Sequence, residues 1–369
     1  MTADQIAEDQ TTAEPWIAFV PRDTVIIRDG RPFDATGAES TSAEPVLPGP
    51  ATMGGALKKA FGKEPVAIRG PVLARRLGEG WEPHFPVPAD LIAGSDEPGA
   101  RVFRLVPEKL DGWTDLTMAR SAGPVPERWL VPPHDAEPGD ALTGWLPEEH
   151  LTSYLAGELP GDRAITREQL RLQAPLKRER RIGLARDGRT ARTGFLYQSA
   201  HLRPCEDWAF LAQYENPAGE RLQAGGPVPF GGRGRLADAE QDAACRWPKN
   251  PEGCVNENVL VYLATPAVWP TGWCPPLPSG AHLVAAVTGQ AEPVAMLTPN
   301  RRWKDAKPTR ALRWAVPAGS VFLLRFDTAE AGARWAKSVH GTAYGRDDNE
   351  TLRRLRTAGF GVVLTGVWT

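Results

Sequence analysis

The sequence predicts an α+β protein assembled from short strands and few helices, and three observations carry that prediction. Apolar runs of strand length recur from Trp16–Ile27 to Phe360–Val367, while few stretches have helical period. Thirty-seven Gly and 36 Pro among 369 residues interrupt those runs, which implies long ordered loops between short elements. Hydrophobic residues at 41% and charged residues at 24% are ordinary for a globular chain, and the length allows two domains, each with its own core.

The first fourteen residues carry Asp4, Glu8, Asp9 and Glu14 and no basic residue, and read as a disordered acidic start. A strand is expected over 15–28, where Ile17, Phe19, Val25, Ile26 and Ile27 are interrupted by Pro21-Arg22-Asp23. It runs into Arg28-Asp29-Gly30-Arg31-Pro32-Phe33, in which Gly30 can take a positive φ and Pro32 cannot continue a central strand. Two arginines and an aromatic thereby stand at the mouth of a strand, on backbone that a ligand can approach. A helix follows over 51–61: Gly49-Pro50 opens it, and Met53, Leu57 and Phe61 share one face while Lys58 and Lys59 lie toward the other. Gly54 and Gly55 weaken that helix by up to about 1 kcal/mol each relative to Ala, which suggests close approach near its first turn.

Residues 63–175 are dominated by Pro, Gly and Trp and read as an insertion into the first domain, with helices expected over 149–156 and 166–172. Strands are expected over 180–184, 194–202 and 208–214, with Asp187-Gly188 marking a hairpin. The second half is expected to hold strands over 259–264 and 282–287, then a hairpin of 312–316 with 321–326 around Pro317-Ala318-Gly319. Helices are expected over 328–339 and 350–357, and a buried strand over 360–367. Strand, helix, paired strands, helix, strand is the order of a ferredoxin-like α+β sandwich.

A formal charge of −2 provides no global field for a polyanion, but charge is unevenly spread. Lys177–Arg192 holds seven basic and two acidic residues, and Arg301–Arg313 holds six and one. Three glycine-bearing segments beside basic residues suit phosphate contact: Gly49–Lys59, Gly231–Arg235 with Arg233 and Arg235, and Arg353–Arg356 leading to Gly359-Phe360-Gly361. Phe33, Tyr197 and Phe360 are aromatic candidates for base stacking.

Catalytic signatures are lacking. The six histidines have no short metal spacing, and no nucleophile elbow or P-loop occurs. Gly359-Phe360-Gly361 precedes a strand rather than a helix, unlike a dinucleotide fingerprint. His201, inside the basic region, is a candidate general base for RNA cleavage. Cys205, Cys245, Cys254 and Cys274 are widely spaced, and no secretory signal or long apolar run appears, so a cytoplasmic protein with reduced thiols and no metal site is expected.

Taken in order, these segments resemble the RAMP proteins of CRISPR systems, and within them the Cas5-like subunit of type III-B (Cmr) effector complexes that binds the crRNA 5′ handle. The likeness rests on Arg28–Phe33, Pro48–Gly62, Arg181-Ile182-Gly183-Leu184 with Thr190–Tyr197, and Gly359–Trp368. The resemblance implies two ferredoxin-like (RRM-type) domains, here 15–245 and 255–369, and no cofactor. It implies crRNA, the large polymerase/nuclease subunit and neighbouring RAMP backbone subunits as partners, with no membrane and no small-molecule substrate. Carried over, Arg28, Gly30, Arg31, Gly54, Gly55 and Lys58 lie at the crRNA surface. A basic hairpin over 177–203, with Arg180, Arg181, Arg189 and Arg192, presses between nucleotides, and Gly359 and Gly361 form a loop beside the last strand. The expected role is non-catalytic. The alternatives are a RAMP endoribonuclease using His201 or Tyr197, and a purely architectural subunit.

Overall fold

The run Trp16–Pro21 (β1) has no polar face because both of its faces are covered. Alternate residues serve two cores: Ile17 and Phe19 pack with helix α1 (Pro50–Phe61), while Trp16 and Ala18 point to the other side. Helix α1 starts at Gly49-Pro50, buries Met53, Ala56, Leu57 and Ala60, and stops at Gly62, whose φ of 75° is left-handed. Lys58 and Lys59 in its last turn meet the negative end of the helix dipole. This computed structural model describes residues 14–27, 45–109, 126–160, 165–217, 222–251, 257–298, 309–346 and 349–368.

Around β1 a seven-stranded antiparallel sheet forms. Its other members are β2 (Ala67–Leu77), β3 (Gly80–Pro86), β4 (Trp145–Pro147), β7 (Trp208–Glu215), β8 (Val228–Pro229) and β9 (Leu236–Gln241), in the order β8-β9-β1-β7-β2-β3-β4. Two further strands, β5 (Leu176–Asp187) and β6 (Thr190–Pro204), pair as a long hairpin outside that sheet. The stretch read as an insertion from residue 63 therefore opens with full members of the sheet, β2 and β3, registered by Phe210 opposite Leu73 and Leu73 opposite His84. Their arginines and prolines hide the period in sequence, and Arg76 lies over the Trp81 ring at 4.2 Å. Beyond β3 come small sheets and helix α2 (Glu148–Leu155). The helix expected over 166–172 is a turn instead: Thr166 N–H bonds Gln169 Oε1 at 2.9 Å, and Arg171 takes a positive φ.

The second half holds a five-stranded antiparallel sheet of β10 (Asn258–Leu263), β11 (Ala281–Val287), β14 (Val321–Phe326), β15 (Thr342–Ala343) and β16 (Val362–Val367). The order is β11-β14-β10-β16-β15. Helices α3 (Ala329–Val339) and α4 (Glu350–Thr357) begin at side-chain caps, Thr328 accepting from Ala331 N–H and Asn349 from Leu352 N–H. The expected hairpin of 312–316 with 321–326 does not form. Strand β13 (Thr309–Ala315) pairs instead with β12 (Glu292–Thr298), and β14 inserts between β11 and β10. The apolar run Val321–Leu324 is buried and needs neighbours on both edges, whereas β13 carries Arg310 and Arg313 and stays outside the sheet.

The two sheets share one core. Leu260, Tyr262 and Leu364 pack in the same cluster as Trp16, Phe85, Leu151 and Leu155, and Tyr262 Oη donates to Pro86 O at 2.6 Å. At the other seam Gly359, at φ +99°, lies so close to β2 that a Cβ there would stand 2.9 Å from Gly70 O and 3.0 Å from Ile68 O. Among the described residues no helix is long and apolar enough to cross a membrane.

Candidate nucleic-acid interface

The break Pro21-Arg22-Asp23 in the first apolar run is a crossroads. Arg22 forks onto Asp238 of β9, with Nη2 to Oδ1 at 2.7 Å. Asp23 receives three guanidinium groups: Arg181 at 3.4 Å and Arg203 at 3.1 Å from the hairpin, and Arg235 from the glycine-rich loop. The Thr24 backbone N–H, assisted by those arginines, holds the Asp23 carboxyl below its ordinary range. Glu179 braces the same arginines, accepting from Arg203 Nε at 2.5 Å and Arg181 Nε at 2.6 Å, and its carboxyl is lowered to about 2.

Backbone bonds join the same three elements. Val25 and Leu202 exchange N–H···O bonds of 2.7 and 2.9 Å, so the chain after β1 adds to the hairpin base. Gly232 N–H bonds Ile26 O at 2.7 Å, and a Cβ on Gly231 would lie 2.9 Å from that same oxygen, so the close approach requires glycine. Val46 N–H bonds Ile27 O at 2.9 Å, which brings the lead into α1 to the same point. From Ile27 the chain enters Arg28–Phe33; Arg28, Gly30, Arg31 and Phe33 lie outside the described residues.

The hairpin changes character along its length. At its base His201 is 3% exposed, with Nδ1 2.9 Å from Thr24 Oγ1 and Nε2 3.1 Å from Ser199 Oγ. Burial, then Arg181 and Arg235, lowers its pKa and keeps it neutral. Further out, Ile182 is 73% exposed and Leu184 46%, both on the outer face with the exposed Arg180. Arg186 and Arg189 are exposed at the tip, where Gly188 turns the chain at φ +60°. Arg192 and Tyr197 occupy β6, Tyr197 opposite Gly183.

Arg181 and Arg235 are thus brought together at Asp23, with the exposed Arg233 two residues away, and Arg180 and Arg189 extend from the same base. The remaining positions lie elsewhere. A Cβ on Gly54 would lie 3.6 Å from Ile68 Cδ1, an ordinary contact, one on Gly55 would meet open space, and the exposed Lys58 pairs with Glu64 at 2.8 Å. Gly359 and Gly361 serve packing, and their N–H groups bond Arg356 O and Pro266 O. Phe360 is buried. The Gly359 contact with Ile68–Gly70 lies level with Trp16, about five residues or roughly 17 Å along β1 from Pro21. Sequence reading missed Asp23, Glu179, Arg203 and the apolar ridge Ile182–Leu184. A charged pair inside an apolar run was the only local signal for Asp23, since its partners lie 158, 180 and 212 residues away.

Comparison with known proteins bears on this arrangement. Residues 17–368 match the family model described as CRISPR-associated protein (Cas_Cmr3). Two solved structures are similar: a type III-B Cmr-beta bound to cognate target RNA and AMPPnP, at 13% identity, and one bound to cognate target RNA, at 12%. The first covers 95% of this chain and 99% of that chain with a TM-score of 0.49, and the second covers 94% and 96% with 0.48. No curated protein matches in sequence. With the family model spanning all but the ends of the sequence, the chain belongs to the Cas_Cmr3 family of CRISPR-associated proteins.

Proposed function

We propose that this chain is a non-catalytic subunit of a type III-B CRISPR effector complex, binding the crRNA 5′ handle and docking the large polymerase/nuclease subunit in antiviral defence. The observation that carries the RNA reading is the Asp23 crossroads. One carboxylate gathers the basic hairpin, the glycine-rich loop and the strand that leads to Arg28, leaving Arg180, Arg186 and Arg189 exposed beyond it.

Each half supports an RRM-type reading through strand order. In chain order, β1, β2, β7 and β9 lie as 4-1-3-2 in the first sheet, and β10, β11, β14 and β16 do so in the second. The first unit keeps the helix after its first strand, α1, and the second keeps the helix after its third, α3. In an RRM the open sheet face stacks bases. Here the face of β1 away from α1 is buried against the second half, so recognition moves to the hairpin and loops at the strand end.

Such a surface holds a single strand by backbone neutralisation and stacking, while guide pairing carries target sequence. The enzymatic alternative needs His201 or Tyr197 as a general base; both ring nitrogens of His201 are engaged and its ring is buried, which argues against that histidine in the role. Handle RNA titrated against the protein at several salt concentrations tests the reading. Arg180→Ala/Arg186→Ala/Arg189→Ala should weaken binding and flatten the log–log salt slope by roughly 0.7 per lost phosphate contact. An unchanged slope contradicts the assignment, and metal-independent cleavage of repeat RNA abolished by His201→Ala favours the nuclease.

A further inference from the structure

The charged groups at the Asp23 crossroads are unevenly matched. Three guanidinium groups, from Arg181, Arg203 and Arg235, meet two carboxylates, from Asp23 and Glu179. On β5, Glu179 and Arg181 stand opposite His201 and Ser199 of β6, and Arg203 follows two residues after His201. All of these share the hairpin face turned to Thr24, away from Arg180, Ile182 and Leu184. The exposed Lys177, opposite Arg203, extends the same face.

The two acids hold the hairpin arginines by one edge. Glu179 accepts from Arg181 Nε and Arg203 Nε, one on each of its oxygens, while Nη2 of both arginines reaches Asp23 Oδ1, at 3.4 and 3.1 Å. Each guanidinium therefore commits Nε and Nη2 to carboxylates, and its Nη1 has no partner among the described residues. Both side chains stay open to solvent, 35% exposed for Arg181 and 44% for Arg203. Arg235 meets the other Asp23 oxygen from the glycine-rich loop. Two residues before it the exposed Arg233 has φ 56°, a left-handed backbone that arginine seldom takes.

Holding the hairpin needs less than this. Val25 and Leu202 already tie its base by exchanged backbone bonds, and one arginine would neutralise each carboxylate. The surplus cation and the two spare Nη1 groups suit a further anion with two equivalent oxygens. The exposed Lys177, Arg180, Arg186, Arg189 and Arg233 around them call for a chain of such anions rather than one carboxylate. We propose that Arg181, Arg203 and Arg235 form a seat for one phosphodiester of single-stranded RNA, with Glu179 and Asp23 as positioning residues that fix the guanidinium planes before the strand arrives. Preorganised donors lose less freedom on binding, so the two acids strengthen RNA binding although they lower the positive charge of the surface. This rests on the reading of the hairpin and loop as an RNA surface, and it adds Asp23, Glu179 and Arg203 to that surface with stated roles.

The test titrates the full-length chain with handle RNAs in which one linkage at a time is a neutral methylphosphonate. At one linkage the wild type should lose about tenfold in affinity, the scale of a charge-assisted contact. Arg203→Ala should lose only about twofold or less there, while keeping the wild-type response at every other linkage. A role confined to holding the hairpin leaves both proteins with the same response at all linkages, and that result overturns the seat. Arg203→Lys covers the case in which the alanine variant does not fold: it keeps the charge without the fork, and a full wild-type response from it also overturns the seat. Glu179→Gln separates positioning from bulk charge. Added positive charge alone tightens binding, whereas loss of positioning weakens it and blunts the response at the same single linkage. Tighter or unchanged binding, or an unblunted response, overturns the positioning role. A wild-type chain that binds no RNA sinks the RNA reading and the seat together; RNA bound with no linkage coupled to Arg203 sinks the seat alone.

Discussion

The β5–β6 and β12–β13 ribbons are built from the same parts, two antiparallel strands leaving a sheet, yet they differ in what holds them and in what they offer. Both are tied at the base by an exchanged pair of backbone bonds, and the first adds ion pairs to its Val25–Leu202 tie: Arg181 and Arg203 reach Asp23, and Glu179 braces both. It presents arginines beside Ile182 and Leu184. The second is held by backbone bonds at Val316 and presents Leu312 and Trp314. Ionic anchoring in a half-exposed site is sensitive to salt and acid, whereas backbone pairing on a buried base is not. Arginine suits a polyanion that exchanges counterions, and a rigid aromatic beside a leucine suits a surface that excludes water.

Acid offers the largest effect that could break the comparison. His84, 2% exposed, stands edge-on to Trp208 at 4.6 Å between ring centroids, and burial lowers its pKa to about 4. The unfolded chain takes up this proton near pH 6.5 and the folded one does so only near 4. Stability should therefore fall as pH drops through that window, by about 3 kcal/mol at its lower end. Chemical denaturation of His84→Gln should show a shallower slope there, and an identical slope would contradict the assignment. This step belongs to the base sheet and must be subtracted before the ribbons are compared.

Next in size is Asp23→Ala, which leaves three guanidinium groups facing one another. Because the carboxylate is 37% exposed, the expected cost is about 1–2 kcal/mol, well under that of a buried pair. Proteolysis should quicken in 176–204 and not in 292–315; equal rates would mean that the anchors do not differ. Glu179 carries a smaller, local effect. Its carboxyl is held near 2 by Arg203 and Arg181, so its contribution is complete above the ordinary carboxylate pKa of 4.5 and is lost as pH falls toward 2. Chemical shifts of the β5–β6 amides around Glu179 should move over that range; unchanged shifts would contradict the assignment. The smallest effect is expected at Lys58→Ala, where the exposed pair with Glu64 is worth no more than about 0.5 kcal/mol; a larger loss would give α1 a role that its geometry does not show.

What the sequence disclosed followed local chemistry. Asp187-Gly188 marked the β5–β6 turn, Gly49-Pro50 with Met53 and Leu57 marked α1, and the apolar run to Val367 marked β16, because each signal lies within a dozen residues. Strands β2 and β3 were hidden because Arg75, Arg76, Pro71, Pro83 and Pro86 break their alternation, and they become strands through the pairing of β2 with β7 and of β3 with β2 and β4. The error at 312–326 has a similar cause: Pro317-Ala318-Gly319 does turn the chain, but β14 is claimed by β10 and β11. Asp23 was unreadable in isolation, since its meaning lies in arginines far along the chain. Gly359 and Gly361 stood out correctly as special backbone, yet the seam they form with β2 and Tyr344 is a packing demand no local pattern encodes.

Ultraviolet crosslinking of handle RNA to the full-length protein, with the crosslinked peptides mapped by mass spectrometry, tests the division between the ribbons most directly. The account predicts adducts in peptides spanning 176–204 and 231–235, with 292–315 unmodified. Adducts concentrated on 292–315, with the β5–β6 hairpin clean, would contradict it.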